Sequence, residues 1–117
     1  MMPRIETPLF SQDVLRIDAA GAAKHIEDSV REQVLQVLRR RGAVVGMSGG
    51  IDSSTVAALC ARALGKERVL GLLMPERDSS DDALRLGRML AEHLGIRYVV
   101  EDIGPALAAM GCYRPQP

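Results

Sequence analysis

One short polar segment lies between two apolar runs and contains the residue types best suited to chemistry in this chain. Segment 48–53 reads Ser-Gly-Gly-Ile-Asp-Ser, follows the apolar run 43–47 and precedes an alanine-rich run that extends to Leu64. Glycine permits backbone angles and close approaches that a side chain would block. A tight loop that enters a helix presents unpaired N–H groups and the positive end of the helix dipole. The segment therefore predicts an anion site, for which phosphate is the usual occupant.

The elements on either side give the segment this setting. Residues 43–47 are too few for a helix and are typical of a buried parallel strand. A helix over 53–64 is predicted to follow, with Ser53 or Ser54 as its N-cap and Gly65 at its end. The alternative interpretation is a glycine and serine turn that joins a strand to a helix and binds nothing.

A long amphipathic helix is predicted before the first strand. Asp18 has the side chain of an N-cap, and apolar residues recur at helical spacing over 26–38. The prediction is a leading helix over 18–41, with Gly42 at its C′ position. An extended arm over 1–17 precedes this helix.

The remaining elements alternate in type. Periodicity and turn residues predict strands at 69–74 and 96–100, a helix between a Ser79 or Ser80 cap and Gly95, and a short helix at 105–110. Strands that alternate with helices predict an α/β fold with a parallel sheet and right-handed crossovers. Ligands of such sheets bind beyond the carboxyl ends of the strands, where the strand order reverses. The loops 48–53 and 75–80 both follow strands, and the order three-two-one would place the first loop at the switch point.

Composition excludes several classes of function. The chain has 117 residues, enough for one domain, and its 15 basic and 15 acidic side chains give a formal net charge of zero. We expect no nucleic-acid partner, which needs a basic excess, and no membrane span, which needs about 18 consecutive apolar residues. The first ten residues lack the apolar core of a signal peptide. Cys60 and Cys112 form no CxxC pair, so we expect reduced thiols in a cytoplasmic protein, with Cys60 in the core.

The loop resembles the pyrophosphate loop of the N-type ATP pyrophosphatases, Ser-Gly-Gly-x-Asp-Ser. It lacks the Gly-Lys-Ser/Thr end of a Walker A loop and the Gly-x-Gly-x-x-Gly spacing of a dinucleotide-binding loop. Segments 44–57, 69–77 and 84–95 together resemble the NAD synthetase family, and the resemblance covers about residues 12 to 113. It implies an adenine nucleotide alpha hydrolase-like fold, which is a Rossmann-like, HUP-type, three-layer α/β fold, here truncated after the third strand. Residues 18–117 would form this partial ATP pyrophosphatase domain.

The resemblance implies an ATP-dependent, AMP-forming ligase of NAD biosynthesis. In this family ATP activates the nicotinate carboxylate of deamido-NAD as an acyl-adenylate with release of pyrophosphate, and ammonia then displaces AMP. The substrates would be ATP and deamido-NAD, with Mg²⁺ as the metal and either free ammonia or a glutaminase as the nitrogen source.

Members of this family continue well past the third strand, so the resemblance covers only their N-terminal portion. We expect the chain to form a homo-oligomer or to pair with a missing C-terminal half, and whether it is active alone stays open. Two alternatives also stay open. One is another ATP pyrophosphatase, such as a GMP synthetase-like amidotransferase, and the other is a nucleotide-binding fragment without catalytic activity.

The resemblance assigns roles to individual residues. The expected ATP contacts are Ser48, Gly49, Gly50, Ile51, Asp52, Ser53, Ser54, Leu73, Met74 and Arg77. Ser48, Asp52 and Ser53 are the expected catalytic residues, because fixed donors and a metal stabilise pyrophosphate as it leaves. Asp52 is the expected Mg²⁺ ligand, since a carboxylate beside a phosphate needs an intervening cation. The alternative for Asp52 is a simple capping or turn residue in the first helical turn.

Several other polar residues have less specific interpretations. Arg77 could pair with a phosphate or with the second substrate, or it could be a solvated loop residue, as we expect Glu76 to be. The arginines at 39–41 either complement the negative end of the leading helix, which their position favours, or form a phosphate patch. His25 and His93 lie on predicted helices away from strand ends, so we expect surface or packing roles.

Overall fold

Three parallel strands form an open sheet, and helices connect them. The structure is a computed structural model, and it describes residues 10–115. The main elements, in chain order, are α1 (Ala19–Arg31), β1 (Ala43–Gly46), α2 (Ile51–Leu64), β2 (Val69–Leu73), α3 (Asp81–Leu94), β3 (Arg97–Val100) and α4 (Gly104–Ala109). A π-helical turn at Glu32–Val37 continues α1, and 3-10 turns occupy Gln12–Leu15 and Lys66–Arg68. Among the described residues, no helix is both long and apolar enough to cross a bilayer.

The sheet has the order β1-β2-β3, with β2 in the middle. Ala43 pairs with Val69, Leu70 pairs with Arg97, and both pairs of strands are parallel. Right-handed crossovers in this order place α2 and α3 on the same face of the sheet. The predicted α/β fold with a parallel sheet is therefore confirmed, and the loops that follow β1 and β2 lie at the same end of the sheet.

The core lies between the sheet and the two helices α2 and α3. Its buried apolar side chains are Val45, Met47, Ala57, Cys60, Ala63, Leu64, Val69, Leu73, Ala91 and Ile96. Ala57 and Ala91 are completely buried, which allows the helix backbones to lie close to the strands. Gly71 makes room for a side chain instead, because a Cβ there would lie 2.6 Å from the sulfur of Met47. Cys60 is in the core as predicted, and its burial raises the pKa of the thiol.

The opposite face of the sheet is more exposed. Val44 and Val99, which alternate with the buried strand residues, are 64% and 45% exposed. Within residues 10–115, β1 has β2 as its one neighbour, so one row of its N–H and C=O groups is unpaired. Its sequence, Ala-Val-Val-Gly, has no polar alternation, which is typical of a strand inside a sheet. We call residues 43–46 on this side the open edge.

The start of the leading helix agrees with the prediction. Asp18 is the N-cap of α1 and accepts a hydrogen bond from the N–H of Gly21 at 3.1 Å. The predicted extended arm over 1–17 contains the 3-10 turn Gln12–Leu15, which Ser11 caps. Its first part, residues 1–9, lies outside the described residues.

The end of the leading helix differs from the predicted 18–41. Helical backbone ends at residue 37, and Arg39 adopts the left-handed conformation with φ 51° that was predicted for Gly42. The N–H of Arg40 donates to the carbonyl of Val34, six residues earlier, at 2.8 Å, which is one residue wider than in a Schellman helix end because the last turn is π-helical. The arginines therefore follow the helix, and the prediction that they lie in its last turn is wrong.

The second helix begins earlier than predicted. Gly50 is its N-cap in an extended conformation, and no side chain caps it. Ser53 and Ser54, the predicted caps, lie in the first helical turn, so this prediction is wrong. The loop is consequently shorter, and the helix starts directly after the second glycine. Gly65 ends the helix as predicted.

The third helix and the strands agree with their predicted positions. Ser80 is the N-cap of α3, and its hydroxyl accepts from the N–H of Ala83 at 3.1 Å. Gly95 ends α3 in the left-handed conformation. Each strand is one residue shorter than its predicted segment, and α4 is displaced by one residue. Hydrophobic runs and turn residues thus located these elements well.

The helix end at Arg39 gives a test in two substitutions. A side chain in the left-handed conformation costs roughly 1 kcal/mol, so we expect Arg39→Gly to raise the free energy of unfolding by about that amount. We expect Gly42→Ala to lower it by about 1–3 kcal/mol, because the new Cβ would overlap the carbonyl oxygen of Arg68. Urea denaturation of the two variants measures both changes. If Gly42 were the helix end instead, Arg39→Gly would destabilise the protein.

Candidate functional site

The Gly/Ser loop lies at the carboxyl end of β1 and touches the start of α3. Gly49 has φ 82°, which strains any other residue, and a Cβ there would lie 2.6 Å from the carbonyl oxygen of Ala83. Both the backbone angle and the close approach therefore require glycine. This contact holds the loop against the helix that follows β2.

Hydroxyl groups shape the inside of the loop. The Oγ of Ser53 accepts from the N–H of Ser48 at 3.1 Å, and the two hydroxyl oxygens are also 3.1 Å apart. The Oγ of Ser48 accepts from the N–H of Gly50 at 3.2 Å. The hydroxyl of Ser54 donates to the carbonyl of Gly50 at 2.6 Å, so its proton is not available to a ligand in this arrangement. Ser48 and Ser53 thus lie together, while the hydroxyl of Ser54 bonds back to the helix N-cap.

The same hydrogen bonds leave several donors available. In the described part of the chain, the N–H groups of Gly49, Ile51, Asp52 and Ser53 have no hydrogen-bond partner. Three of them belong to the first turn of α2, whose dipole is positive at this end. Unpaired N–H groups at a helix N-terminus bind phosphate and similar anions. The loop therefore has the donors that the sequence predicted.

Asp52 is an exposed carboxylate in the first turn of α2. Among residues 10–115, no three side chains of the metal-binding types come together, so the chain does not form a complete metal cage there. Mg²⁺ commonly takes one or two carboxylates and completes its shell with water and substrate phosphates. A lone carboxylate beside an anion loop fits such a shared ion.

A small cavity of about 100 Å³ lies next to the loop. Its lining residues are Met47, Ser48, Leu73, Met74, Pro75, Ser79, Ala83 and Leu84. Met74, 44% exposed, extends over the end of β1, and its methyl group lies 3.5 Å from where a Cβ on Gly46 would be. The side chain of Leu73 is 1% exposed and belongs mostly to the core. Of these two predicted contacts, Met74 is the one that is accessible.

The loop after β2 is hydrogen-bonded to a residue that the sequence did not single out. Tyr113 donates from its hydroxyl to Glu76 Oε2 at 2.6 Å and accepts the N–H of Arg77 at 3.1 Å. The guanidinium of Arg77 lies 4.6 Å from the centroid of the Tyr113 ring. Glu76 is thus engaged, contrary to the prediction that it is solvated, and Arg77 stacks on a tyrosine. No spacing signal links residues this far apart in the chain.

This hydrogen bond changes the titration of both partners. It is the largest cause of the lowered pKa of Glu76 and of the raised pKa of Tyr113. Its contribution to stability is present above the ordinary carboxyl value of 4.5 and is lost as pH falls through the lowered pKa of Glu76. At the other end, the contribution is present below the ordinary phenol value of 10.0 and is lost as pH rises through the raised pKa of Tyr113.

Other candidate residues lie away from the loop. His25 and His93 are exposed on α1 and α3, as predicted, and neither is at the carboxyl end of a strand. A larger and more open depression of about 560 Å³ lies at the amino ends of the strands, where Arg41, Arg68 and Arg97 line it. It is at the opposite end of the sheet from the Gly/Ser loop.

A parallel sheet with an anion loop between its first strand and the next helix defines a Rossmann-like, nucleotide-binding class of α/β protein. A family model described as NAD synthase matches residues 22–115. The chain belongs to the NAD synthase family.

Individual relatives agree with this assignment. The NH3-dependent NAD+ synthetase of Mesorhizobium japonicum is 62% identical over 103 residues, which are 88% of this chain and 32% of that protein. The chain thus spans about a third of the length of the curated relatives that it matches.

Solved structures show the same fold. The NH3-dependent NAD synthetase of Campylobacter jejuni, in complex with the nitrate ion, matches with a TM-score of 0.75 at 34% identity, over 86% of this chain and 44% of that chain. The glutamine-dependent NAD+ synthetase of Acinetobacter baumannii, in complex with ADP, matches with a TM-score of 0.74 at 21% identity, over 92% of this chain and 19% of that chain.

The loop geometry predicts where an anion binds. On titration with pyrophosphate, we expect the amide resonances of Gly49 and Ile51–Ser53 to move together, because their N–H groups are the unpaired donors. Gly49→Ala should weaken binding by about tenfold or more, since its Cβ forces the loop away from α3.

A matched control is available at the other end of α2. Gly65 also has a positive φ, 90°, but a Cβ there would meet no atom within 4 Å. Gly65→Ala should therefore leave the affinity for pyrophosphate unchanged. Shifts confined to other segments would mean that the anion binds elsewhere.

Proposed function

We propose that this chain is the ATP-binding part of an NAD synthetase, an AMP-forming ligase that converts deamido-NAD, ATP and ammonia to NAD, AMP and pyrophosphate. The observation that carries the proposal is the loop at 48–53. Its unpaired N–H groups and paired serine hydroxyls surround one helix start, in a chain that is 62% identical to an NH3-dependent NAD+ synthetase over most of its length.

The charge of the leaving group explains why such a loop suits the reaction. When the carboxylate attacks the α-phosphorus, negative charge develops on the departing pyrophosphate. Donors that are fixed before the reaction stabilise this charge without reorganisation. The N–H groups of Gly49 and Ile51–Ser53 are held by the helix and by the Gly49 contact, and we assign them this role. The hydroxyl groups of Ser48 and Ser53 hold the loop together, and their remaining hydrogen-bonding positions are available to the pyrophosphate.

The cavity beside the loop would take the other end of ATP. Its volume of about 100 Å³ suits one part of a nucleotide, since pockets for whole ligands measure roughly 300–1,000 Å³. Six of the eight lining side chains are apolar, and two of them are methionines. Methionine sulfur makes favourable contacts with aromatic rings. We therefore place the adenine against Met74, the exposed methionine of the wall, with the phosphates extending towards Gly49.

Asp52 would hold Mg²⁺ together with the phosphates of ATP. Bound there, the ion would supply positive charge that neutralises the phosphate oxygens. Arg77 is stacked on Tyr113, so a role for it in contacting phosphate would require a different side-chain rotamer, and we assign it no contact in this arrangement.

The remaining assignments follow from the relatives and the composition. The curated relatives from Mesorhizobium and Rhizobium are named NH3-dependent, so we propose free ammonia as the nitrogen source. Cys60 and Cys112 are both free thiols, which is usual for a cytoplasmic protein. The open edge of β1 leads us to propose association of this chain with another polypeptide, either a second copy or a separate segment that completes the site.

The role of Asp52 gives a direct test. We expect Asp52→Asn to weaken ATP binding in the presence of Mg²⁺ by about tenfold, while metal-free ATP binds equally well or better. The substitution removes a metal ligand and also removes repulsion between a carboxylate and phosphate. Calorimetric titration of ATP with and without Mg²⁺ measures both affinities.

Asp81→Asn is the matched control, because Asp81 lies in the first turn of the neighbouring helix α3. It should leave the ratio of the two affinities at the wild-type value. A wild-type ratio in Asp52→Asn as well would mean that Asp52 has a structural role.

The open edge predicts the behaviour of the 117-residue chain. We expect it to bind ATP, to form no NAD from deamido-NAD, ATP and ammonia, and to self-associate. Ligands of such sheets bind between loops from both sides of the switch point, and the described sheet extends to one side of β1. An assay for NAD and sedimentation velocity measure the two outcomes.

A pair of lysine substitutions locates the contact. Val44→Lys places a charge beside the open edge and should shift the chain towards monomer. Val99→Lys places one on the same face of β3, the other outer strand, and should not, because β3 already begins with the charged Arg97. If the wild-type chain is a monodisperse monomer, the open edge does not cause association. If the pure chain forms NAD, 117 residues are sufficient for the reaction.

A further inference from the structure

The Glu76–Tyr113 hydrogen bond joins two segments that are 37 residues apart. Tyr113 follows α4, and the chain that leads into α4 is bonded to the end of β2 and to the residues after it: the N–H of Glu101 donates to the carbonyl of Leu73 at 2.8 Å, and the N–H of Ile103 donates to that of Pro75 at 3.0 Å. The backbone of Cys112 continues the connection with a hydrogen bond to Leu107 at 3.0 Å. The Tyr113 phenol therefore reaches the loop after β2 from a segment whose backbone is itself hydrogen-bonded.

Glu76 is the first residue of a tight turn. Its N–H donates to the Oγ of Ser79 at 3.1 Å, and the N–H of Ser79 donates back to the Glu76 carbonyl at 3.0 Å. Its Oε1 accepts the N–H of Asp78 at 3.0 Å. The turn and the carboxylate of Glu76 are therefore joined by hydrogen bonds, so that a displacement of this carboxylate also displaces Ser79.

The two ends of this turn are part of the cavity wall. Pro75 and Ser79 line the cavity of about 100 Å³ together with Ser48 of the Gly/Ser loop. The C-terminal segment holds residues 75–79 at two points: the backbone N–H of Ile103 bonds to Pro75, and the Tyr113 hydroxyl bonds to Glu76 and Arg77. The position of the Glu76–Ser79 turn, and with it one part of the cavity wall, therefore depends on a phenol that is outside the cavity.

We propose that Tyr113 is a positioning residue for nucleotide binding: its hydrogen bond to Glu76 holds the turn 75–79 at the spacing from the Gly/Ser loop that a purine base requires. This inference rests on the proposed function, since it takes the nucleotide to lie between the loop and the turn. Under this proposal, the turn affects binding of the base, whereas the Gly/Ser loop affects binding of the phosphates. Tyr113 itself touches no substrate in this arrangement.

The division between base and phosphates makes the proposal testable. Pyrophosphate needs the Gly/Ser loop alone, whereas ATP needs the loop and the turn. We expect Tyr113→Phe, which keeps the ring under Arg77 and removes the hydroxyl, to weaken ATP binding about fivefold or more. Its affinity for pyrophosphate should stay within about twofold of the wild-type value. Isothermal titration of the 117-residue chain measures both.

The chain contains its own control. Tyr98, the other tyrosine, also bonds to a glutamate, with its hydroxyl 3.3 Å from Glu92 Oε1, but this pair lies on β3 and α3 away from the turn. Tyr98→Phe removes a bond of the same kind and should change neither affinity. Glu76→Gln keeps an oxygen that can accept from the phenol, so its loss of ATP affinity should be smaller than that of Tyr113→Phe.

The outcomes separate the two proposals. Selective loss of ATP affinity in Tyr113→Phe, with Tyr98→Phe unchanged, supports the positioning role. Equal weakening of ATP and pyrophosphate, or no weakening of either, overturns it. A wild-type chain that binds pyrophosphate but not ATP overturns the proposed function and the positioning role with it. If Tyr113→Phe fails to fold, Glu76→Ala removes the acceptor of the same bond, and a Glu76→Ala variant that binds both ligands as tightly as wild type overturns the positioning role.

Discussion

The parallel direction of the three strands is the constraint on which the site depends. Because β1, β2 and β3 run the same way, every strand delivers its carboxyl end to one end of the sheet. The Gly/Ser loop, the turn at 75–79 and the chain that leads to Tyr113 follow these ends. Side chains that are far apart in sequence therefore come together at this end because of the strand direction, and the fold does not depend on contacts between them.

Close approach, rather than burial of large side chains, fixes the geometry at that end. The chain has few aromatic residues and packs alanine and glycine where backbones must come near one another. Gly49 against Ala83 and Gly71 against Met47 are two such contacts. Each leaves no room for a methyl group, and at Gly49 the neighbouring atoms are backbone atoms of Ala83, which set the spacing between loop and helix. A rigid spacing suits a loop whose N–H groups must already be in place when charge develops.

Sequence reasoning located the strands, the fold class and the loop because each has a local signal. Apolar runs, glycine ends and the Ser80 cap placed the three strands, α3 and α4 to within a residue. It placed the end of the leading helix wrongly, since Arg39 rather than a glycine adopts the left-handed conformation. It also missed the cap at Gly50, where a glycine replaces a polar side chain. The bond between Glu76 and Tyr113 connects distant segments and leaves no periodic trace in the sequence.

The three arginines at the amino ends of the strands have a consequence for the open edge. Arg41, Arg68 and Arg97 line one depression there with one acidic residue, Glu67, so positive charge is in excess at this end of the sheet. A second copy that added its β1 in parallel would bring two such ends together, and their repulsion opposes that arrangement. An antiparallel addition puts the arginines at opposite ends of the joined sheet. The charges at the amino ends therefore favour antiparallel over parallel pairing of two β1 edges, and antiparallel pairing joins two copies around a two-fold axis.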